Sequence, residues 1–208
     1  MSFNETIQSK EELRAMVGEP SELVSNKVIS HLDKHCMTFI SKSPFLTIAT
    51  ADASGNCDVS PRGDEAGFVF VLNEQQLLIP ERPGNKRMDS FTNILENRNI
   101  GILFMIPGLG ETLRVNGRAS IVKDLTLLEK MKARGKTPHL AIGVDVEECF
   151  IHCAKAFKRS GLWKPSSWME KNELPQPAQI LLAHSKLEDM SLKEMEDRLE
   201  ESYEKRLY

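Results

Sequence analysis

Apolar and polar positions change period along the chain. From Ser9 to Phe39 they recur at helical spacing. Ser9 with Glu12 forms a capping-box pattern ahead of Leu13 and Met16, and Ser21 after Pro20 can cap a second helix. That helix would carry the stripe Leu23, Val24, Val28, Leu32, Cys36 and Phe39. After Pro44 the period becomes strand-like: Phe45 to Ala51, a turn at Asp52-Ala53-Ser54-Gly55-Asn56, then Cys57 to Ser60, which reads as a hairpin. Gly67 to Leu72 is an apolar run too short for a helix, Asn73 to Gln76 is turn-like, and Leu77 to Pro80 completes a second hairpin.

Beyond Pro83 the pattern predicts a short helix from Met88 to Glu96, a strand from Ile100 to Ile106, and a turn at Pro107-Gly108-Leu109-Gly110. A long strand follows from Glu111 to Lys123, Asp124 caps a helix through Arg134, and His139 to Cys153 is a further strand. From Lys155 the chain is helical, and Ser191 with Glu194 caps a last helix whose packing stripe is Leu192, Met195, Leu199 and Tyr203. About six strands, helices inserted late and no regular βαβ alternation predict a mainly β fold, an antiparallel barrel with peripheral helices. We expect one domain over residues 1–208, with N-terminal helices at 1–43, a barrel core at 44–153 and C-terminal helices at 154–208.

With 27 Lys+Arg against 30 Asp+Glu, the net charge of -3 argues against a surface built throughout for nucleic acid, while leaving room for a local anion site. No apolar run approaches the ~20 residues of a membrane-spanning helix. Glu5, Glu11, Glu12 and Glu19 occupy the first twenty residues in place of an apolar signal core, so the expected address is cytoplasmic. Cys149, His152 and Cys153 have the residue types of zinc ligands, but in a strand residues four apart lie ~13 Å from each other, and we expect buried free thiols.

Four stretches carry candidate chemistry. In Pro80-Glu81-Arg82-Pro83-Gly84-Asn85-Lys86-Arg87-Met88-Asp89-Ser90, three cations precede a helix whose first N–H groups are unpaired, an arrangement suited to a phosphate, with Asn85 and Ser90 as neutral donors. The same residues also read as a solvated basic loop. Asp58-Val59-Ser60-Pro61-Arg62-Gly63-Asp64 offers the Arg62 fork and the Ser60 hydroxyl, or is simply a turn. Thr112, Arg114, Asn116 and Arg118 share one face of a strand, either a solvent face or the polar edge for a ring system. Lys155, Arg159 and Trp163 follow one another along a helix, either solvated or placed to cover a flat ligand.

Taken in order, FLTIAT, DVSPRGD, GFVFV, PERPGNKRMDSFTNIL, GILF, PGLGETLRVNGRA and the later CAKAFKRSGLW resemble the FMN-binding split-barrel family related to pyridoxamine phosphate oxidase. The similarity runs roughly from Pro44 to Pro165. It implies a six-stranded split barrel that forms a homodimer with FMN in two symmetry-related interface clefts. It further implies Ser60, Arg62, Arg82, Lys86, Arg87 and Ser90 at the FMN phosphate, Thr112 and Arg114 at the isoalloxazine, and Lys155, Arg159 and Trp163 approaching from the partner subunit. The Arg-Met-Val-Leu-Leu-Lys-like strand and the C-terminal Arg-Leu-His type motif of true pyridoxamine phosphate oxidases are missing, so the vitamin B6 reaction is not implied. The expected function is an FMN-dependent oxidoreductase of unassigned substrate. The alternatives are a non-catalytic flavin carrier or sensor, or a split barrel holding haem or a deazaflavin.

Overall fold

The structure is a computed structural model that describes residues 3–187 and 189–208. Three helices lead in: α1 (Lys10–Val17), α2 (Glu22–Asn26) and α3 (Lys34–Lys42). They are followed by β1 (Phe45–Ala51), β2 (Cys57–Gly63), β3 (Phe70–Asn73), β4 (Gln76–Pro80), α4 (Asp89–Glu96), β5 (Asn99–Met105) and β6 (Thr112–Val122). Then come α5 (Leu125–Glu129), β7 (Ala141–His152), α6 (Lys155–Ser160), α7 (Pro177–Ser185) and α8 (Leu192–Lys205). All strands join one antiparallel sheet in the order β2-β1-β5-β6-β7-β4-β3. The sheet has seven strands, one more than expected, because the four residues of β3 form a short edge strand paired only with β4. It curls without closing, and the result is a mainly β split barrel with peripheral helices.

Alternation builds the core. In β1, Leu46, Ile48 and Thr50 point inward, and in β5, Ile100, Ile102 and Phe104 do the same. Leu113, Val115 and Ala119 of β6 complete that inner face with Val144 and Val146 of β7, and α4 seals one end with Phe91 and Ile94. Each fully buried aliphatic or aromatic side chain is worth ~1.5–3 kcal/mol, so this inner face is the main source of stability. Gly117 sits at a register shift between β6 and β7, where a Cβ would lie 2.1 Å from the Asp145 carbonyl oxygen. Only glycine fits that crossing.

The N-terminal half departs from the expected pattern. The stripe from Leu23 to Phe39 is split between α2 and α3 and never forms one helix. Asp33 starts α3 by accepting hydrogen bonds from the His35 and Cys36 backbone N–H groups at 2.9 and 2.8 Å. Ile29, between the helices, pairs instead as a β-bridge with Cys149. Ser9 accepts from the Glu12 N–H as expected, whereas Ser21 makes no side-chain cap. The helix after Asp124 stops at Glu129, five residues short of Arg134. The next segment doubles back through a bridge between Ala133 and Lys136, with Gly135 at φ +81°. Met195 of the last stripe is buried while Tyr203 is 62% exposed. Of the cysteines, Cys36 and Cys149 are buried and Cys153 is exposed, so the expectation of burial holds for only one of the pair Cys149 and Cys153. Among the described residues, no helix is long and apolar enough to cross a membrane and no acidic, His or Cys cluster has the makings of a metal site.

Candidate functional site

Where the sheet fails to close, the end of β2 faces the loop that leaves β4. The cleft between them has a volume of about 470 Å³ and runs from Asp58 to Gly63 on one side and from Pro80 to Ser90 on the other. Seven of the residues singled out from the sequence meet here: Ser60, Arg62, Arg82, Asn85, Lys86, Arg87 and Ser90. They come from two segments about twenty residues apart in the chain, brought together by barrel curvature.

Their local partners divide them. Arg62 donates through Nη1 to the Ser60 hydroxyl and to the Pro61 carbonyl at 2.8 Å, while its Nε lies 3.6 Å from the Glu81 carboxylate. That is an ion-pair distance but no hydrogen bond, and both Arg62 Nε and Glu81 Oε2 are buried without a hydrogen-bond partner. Burial pushes the Glu81 carboxyl above its usual pKa, against the pull of Arg62. Arg82 is more fully engaged, with Nε on Asp64 at 2.6 Å and Nη2 on the Met131 carbonyl at 3.0 Å. Both N–H groups of its Nη1 are left for a ligand.

On the loop, the Asn85 side chain accepts from the Arg87 N–H at 3.0 Å, and Arg87 Nε pairs with Asp89 at 2.7 Å. Lys86 has no ion-pair partner among the described residues. Ser90 is buried and donates to Asp58 at 2.6 Å, so its hydroxyl is held by a carboxylate. Lys86 and Met88 both adopt left-handed backbone, at φ 62° and 59°, a costly conformation for residues with a Cβ. Met88 is the N-cap of α4, and no side chain caps that helix. The first N–H groups of α4 therefore line the cleft without the usual Ser, Thr, Asp or Asn acceptor.

The remaining candidates lie elsewhere in their own chain. Arg62 pairs across the sheet with Leu46, Leu46 with Phe104 and Phe104 with Leu113, which puts the start of β6 three strands, or ~14 Å, from the cleft. Thr112 is buried there, and Arg114 lies over the Phe150 ring at 5.4 Å. Lys155 and Arg159 are exposed on α6. Trp163 stacks on Phe157 with ring centroids 5.7 Å apart and donates to the Leu109 carbonyl at 2.9 Å, fixing the Pro107–Gly110 turn.

Sequence reasoning passed over the acidic side of the cleft. Asp58, Glu81 and Asp89 stand among Arg62, Arg82, Lys86 and Arg87, so the wall is only modestly positive. It also passed over Tyr208, whose hydroxyl donates to Asp64, the partner of Arg82. Asp64 is pushed up by burial, but the Tyr208 hydroxyl, the Glu65 N–H and Arg82 outweigh this and hold its carboxyl below the usual range. No local spacing announces a contact between residues so far apart in the chain.

No curated protein matches the chain. Among solved structures it is similar to HupZ of Group A Streptococcus, with 20% identity over 57% of this chain and 92% of that one and a TM-score of 0.47. It is also similar to General Stress Protein 26 of Bacillus anthracis str. Sterne, with 18% identity over 55% and 88% and a TM-score of 0.43. A third likeness is HutZ, the heme storage protein of Vibrio cholerae, with 18% identity over 58% and 93% and a TM-score of 0.42. The family model for pyridoxamine 5'-phosphate oxidase matches residues 32–153, more than half of the chain and all seven strands of the barrel, and the protein belongs to that family.

Proposed function

We propose that the protein binds FMN, with the phosphate in the cleft between β2 and the β4–α4 loop, and that it works as an oxidoreductase on a small molecule. The observation that carries this reading is a coincidence of two unmet donors in one cleft. The N-terminus of α4 has no side-chain cap, and the buried Nε–H of Arg62 has no acceptor. A phosphate offers oxygens to both, and anions at helix N-termini are favoured by the aligned peptide dipoles. Lys86 adds an uncommitted charge, and Arg82, clamped by Asp64 and Met131, presents Nη1 in a fixed orientation.

Bound flavin supplies hydride or electron transfer, and the protein supplies binding, orientation and electrostatics. Ser60 orients Arg62 through Nη1, Asp58 holds Ser90, and Asp64 holds Arg82, so the ligand-facing groups are fixed before binding. Preorganisation of this kind lowers the ordering cost of association. The ring contacts fall to Thr112, Arg114, Lys155, Arg159 and Trp163 of a second copy in a homodimer. This assignment follows the family resemblance and the distance of those residues from the cleft of their own chain.

The absorption spectrum of the purified protein tests the reading. Oxidised flavin bands, either as isolated or after addition of FMN, support it. A Soret band, or failure to retain FMN on gel filtration, contradicts it. Faster bleaching of bound than of free FMN by NADH or NADPH separates an oxidoreductase from a non-catalytic flavin carrier.

A further inference from the structure

The loop from Glu81 to Met88 has a second side. It forms one wall of another cavity, of about 660 Å³, whose opposite wall is the segment from Lys136 to Leu140 and whose edge is closed by Tyr208. That volume lies within the ~300–1,000 Å³ typical of small-molecule sites. The lining is unlike that of the first cleft. Pro83, Met88, Pro138 and Leu140 supply a mostly apolar surface, and the charged groups are Arg82, Lys86 and Lys136 against the single acid Glu81. Glu81 is already engaged at 3.6 Å with Arg62 and Arg82 at 2.6 Å with Asp64, so Lys86 and Lys136 are the cations left without an acidic side chain among the described residues.

Tyr208 shows what this corner accepts. Its ring lies 4.6 Å from the Arg134 guanidinium, and its main-chain oxygen takes a hydrogen bond from Lys136 Nζ at 2.6 Å. Arg134 lies outside the cavity, whereas Lys136 lines it and already holds an oxygen acceptor. An ammonium has three N–H donors, so Lys136 can serve a ligand without giving up Tyr208.

We propose that this second cavity is a ligand site in its own right, for an aromatic carboxylate whose ring packs against Pro138, Leu140 and Tyr208 and whose carboxylate is bound by Lys136. A neutral aromatic would leave the cations unanswered, and an organic cation would meet like charge. The site lies on the far side of the phosphate loop and does not require that FMN be the cofactor.

Calorimetric titration of the flavin-free protein with benzoate, the simplest probe of this class, tests the proposal. Benzoate is expected to bind at millimolar concentration or below and benzylamine not to bind. Lys136→Ala should weaken benzoate about tenfold or more, as expected for a lost charge-assisted hydrogen bond. Thr137→Glu, which places a like charge on the same wall, should weaken it in the same direction. Lys136 is exposed, and circular dichroism confirms that both variants are folded before they are compared. Saturating FMN should not displace benzoate, although the two sites share the loop that carries Lys86. Absence of benzoate binding, wild-type affinity in both variants, or displacement of benzoate by FMN would overturn the proposal, the last by assigning the cavity to the flavin ring.

Discussion

Arg62 and Arg82 line the same cleft, yet their partners give them different work. Arg62 faces Glu81 at 3.6 Å with an unmet Nε–H, while Arg82 is tied to Asp64 at 2.6 Å and to a carbonyl. Glu81 competes with any phosphate for Arg62. Glu81→Gln should therefore tighten FMN severalfold while leaving riboflavin, which lacks the phosphate, nearly unchanged, as fluorescence titration of both ligands can show. Weaker FMN binding in this variant would mean that Glu81 holds Arg62 in place rather than competing for it. Asp64 makes a different prediction. Its folded-state pKa is depressed, so its contribution to stability is full above the unfolded carboxylate value of ~3.9 and is lost as pH falls through the lower folded value. Urea midpoints measured from neutral pH down to pH ~3 should fall more steeply for the wild type than for Asp64→Asn, and parallel curves would count against this role. The basic residues of the cleft were legible in the sequence because they cluster in two short segments. Asp64 and Tyr208 were not, because their contact spans most of the chain and is made by the residues that follow α8.

Among the elements, the first hairpin and the long β6 and β7 strands were readable from alternation and turn residues, since local pattern and tertiary burial agree there. The N-terminal helices were not. Leu23 is 79% exposed and Leu32 fully buried, although both fit one helical stripe. The long-range bridge between Ile29 and Cys149 breaks the helix between them. Two capping residues that look alike in sequence should then behave differently. Asp33→Ala removes two hydrogen bonds at the start of α3 and should cost ~1 kcal/mol, whereas Ser21→Ala removes none and should leave the melting temperature unchanged. Thermal unfolding of both variants by circular dichroism checks this, and similar losses in both would contradict the assigned helix starts. The shortened helix after Asp124 has the same lesson in reverse. Capping chemistry marks a start, but the turn at Ala133–Lys136 sets the end.

For the whole molecule, the open seam of the barrel gathers Ser60, Arg62, Arg82, Lys86, Arg87 and Ser90 in one cleft and leaves Thr112, Arg114 and Trp163 remote from it. If the site is completed by a second copy, mixing Arg62→Ala and Trp163→Ala chains under subunit exchange should restore tight FMN binding at about half of the sites in mixed dimers, because one cleft then carries both lesions and the other neither. No recovery would mean that Trp163 serves its own chain, where it braces the Leu109 turn. The split barrel was legible from the order of motifs, whereas the proposal of a dimer rests only on the resemblance, since no hydrophobic period distinguishes a sheet face turned to solvent from one turned to a partner. The central claim is that the cleft beside α4 recognises the phosphate of FMN. It is tested most directly by the ratio of FMN to riboflavin affinity in the wild type and in Arg62→Ala, measured by quenching of flavin fluorescence. The account predicts that the wild type prefers FMN by about tenfold or more and that Arg62→Ala loses most of that preference with little change in riboflavin affinity. Equal affinities in the wild type, or an equal loss for both ligands in the variant, would contradict it.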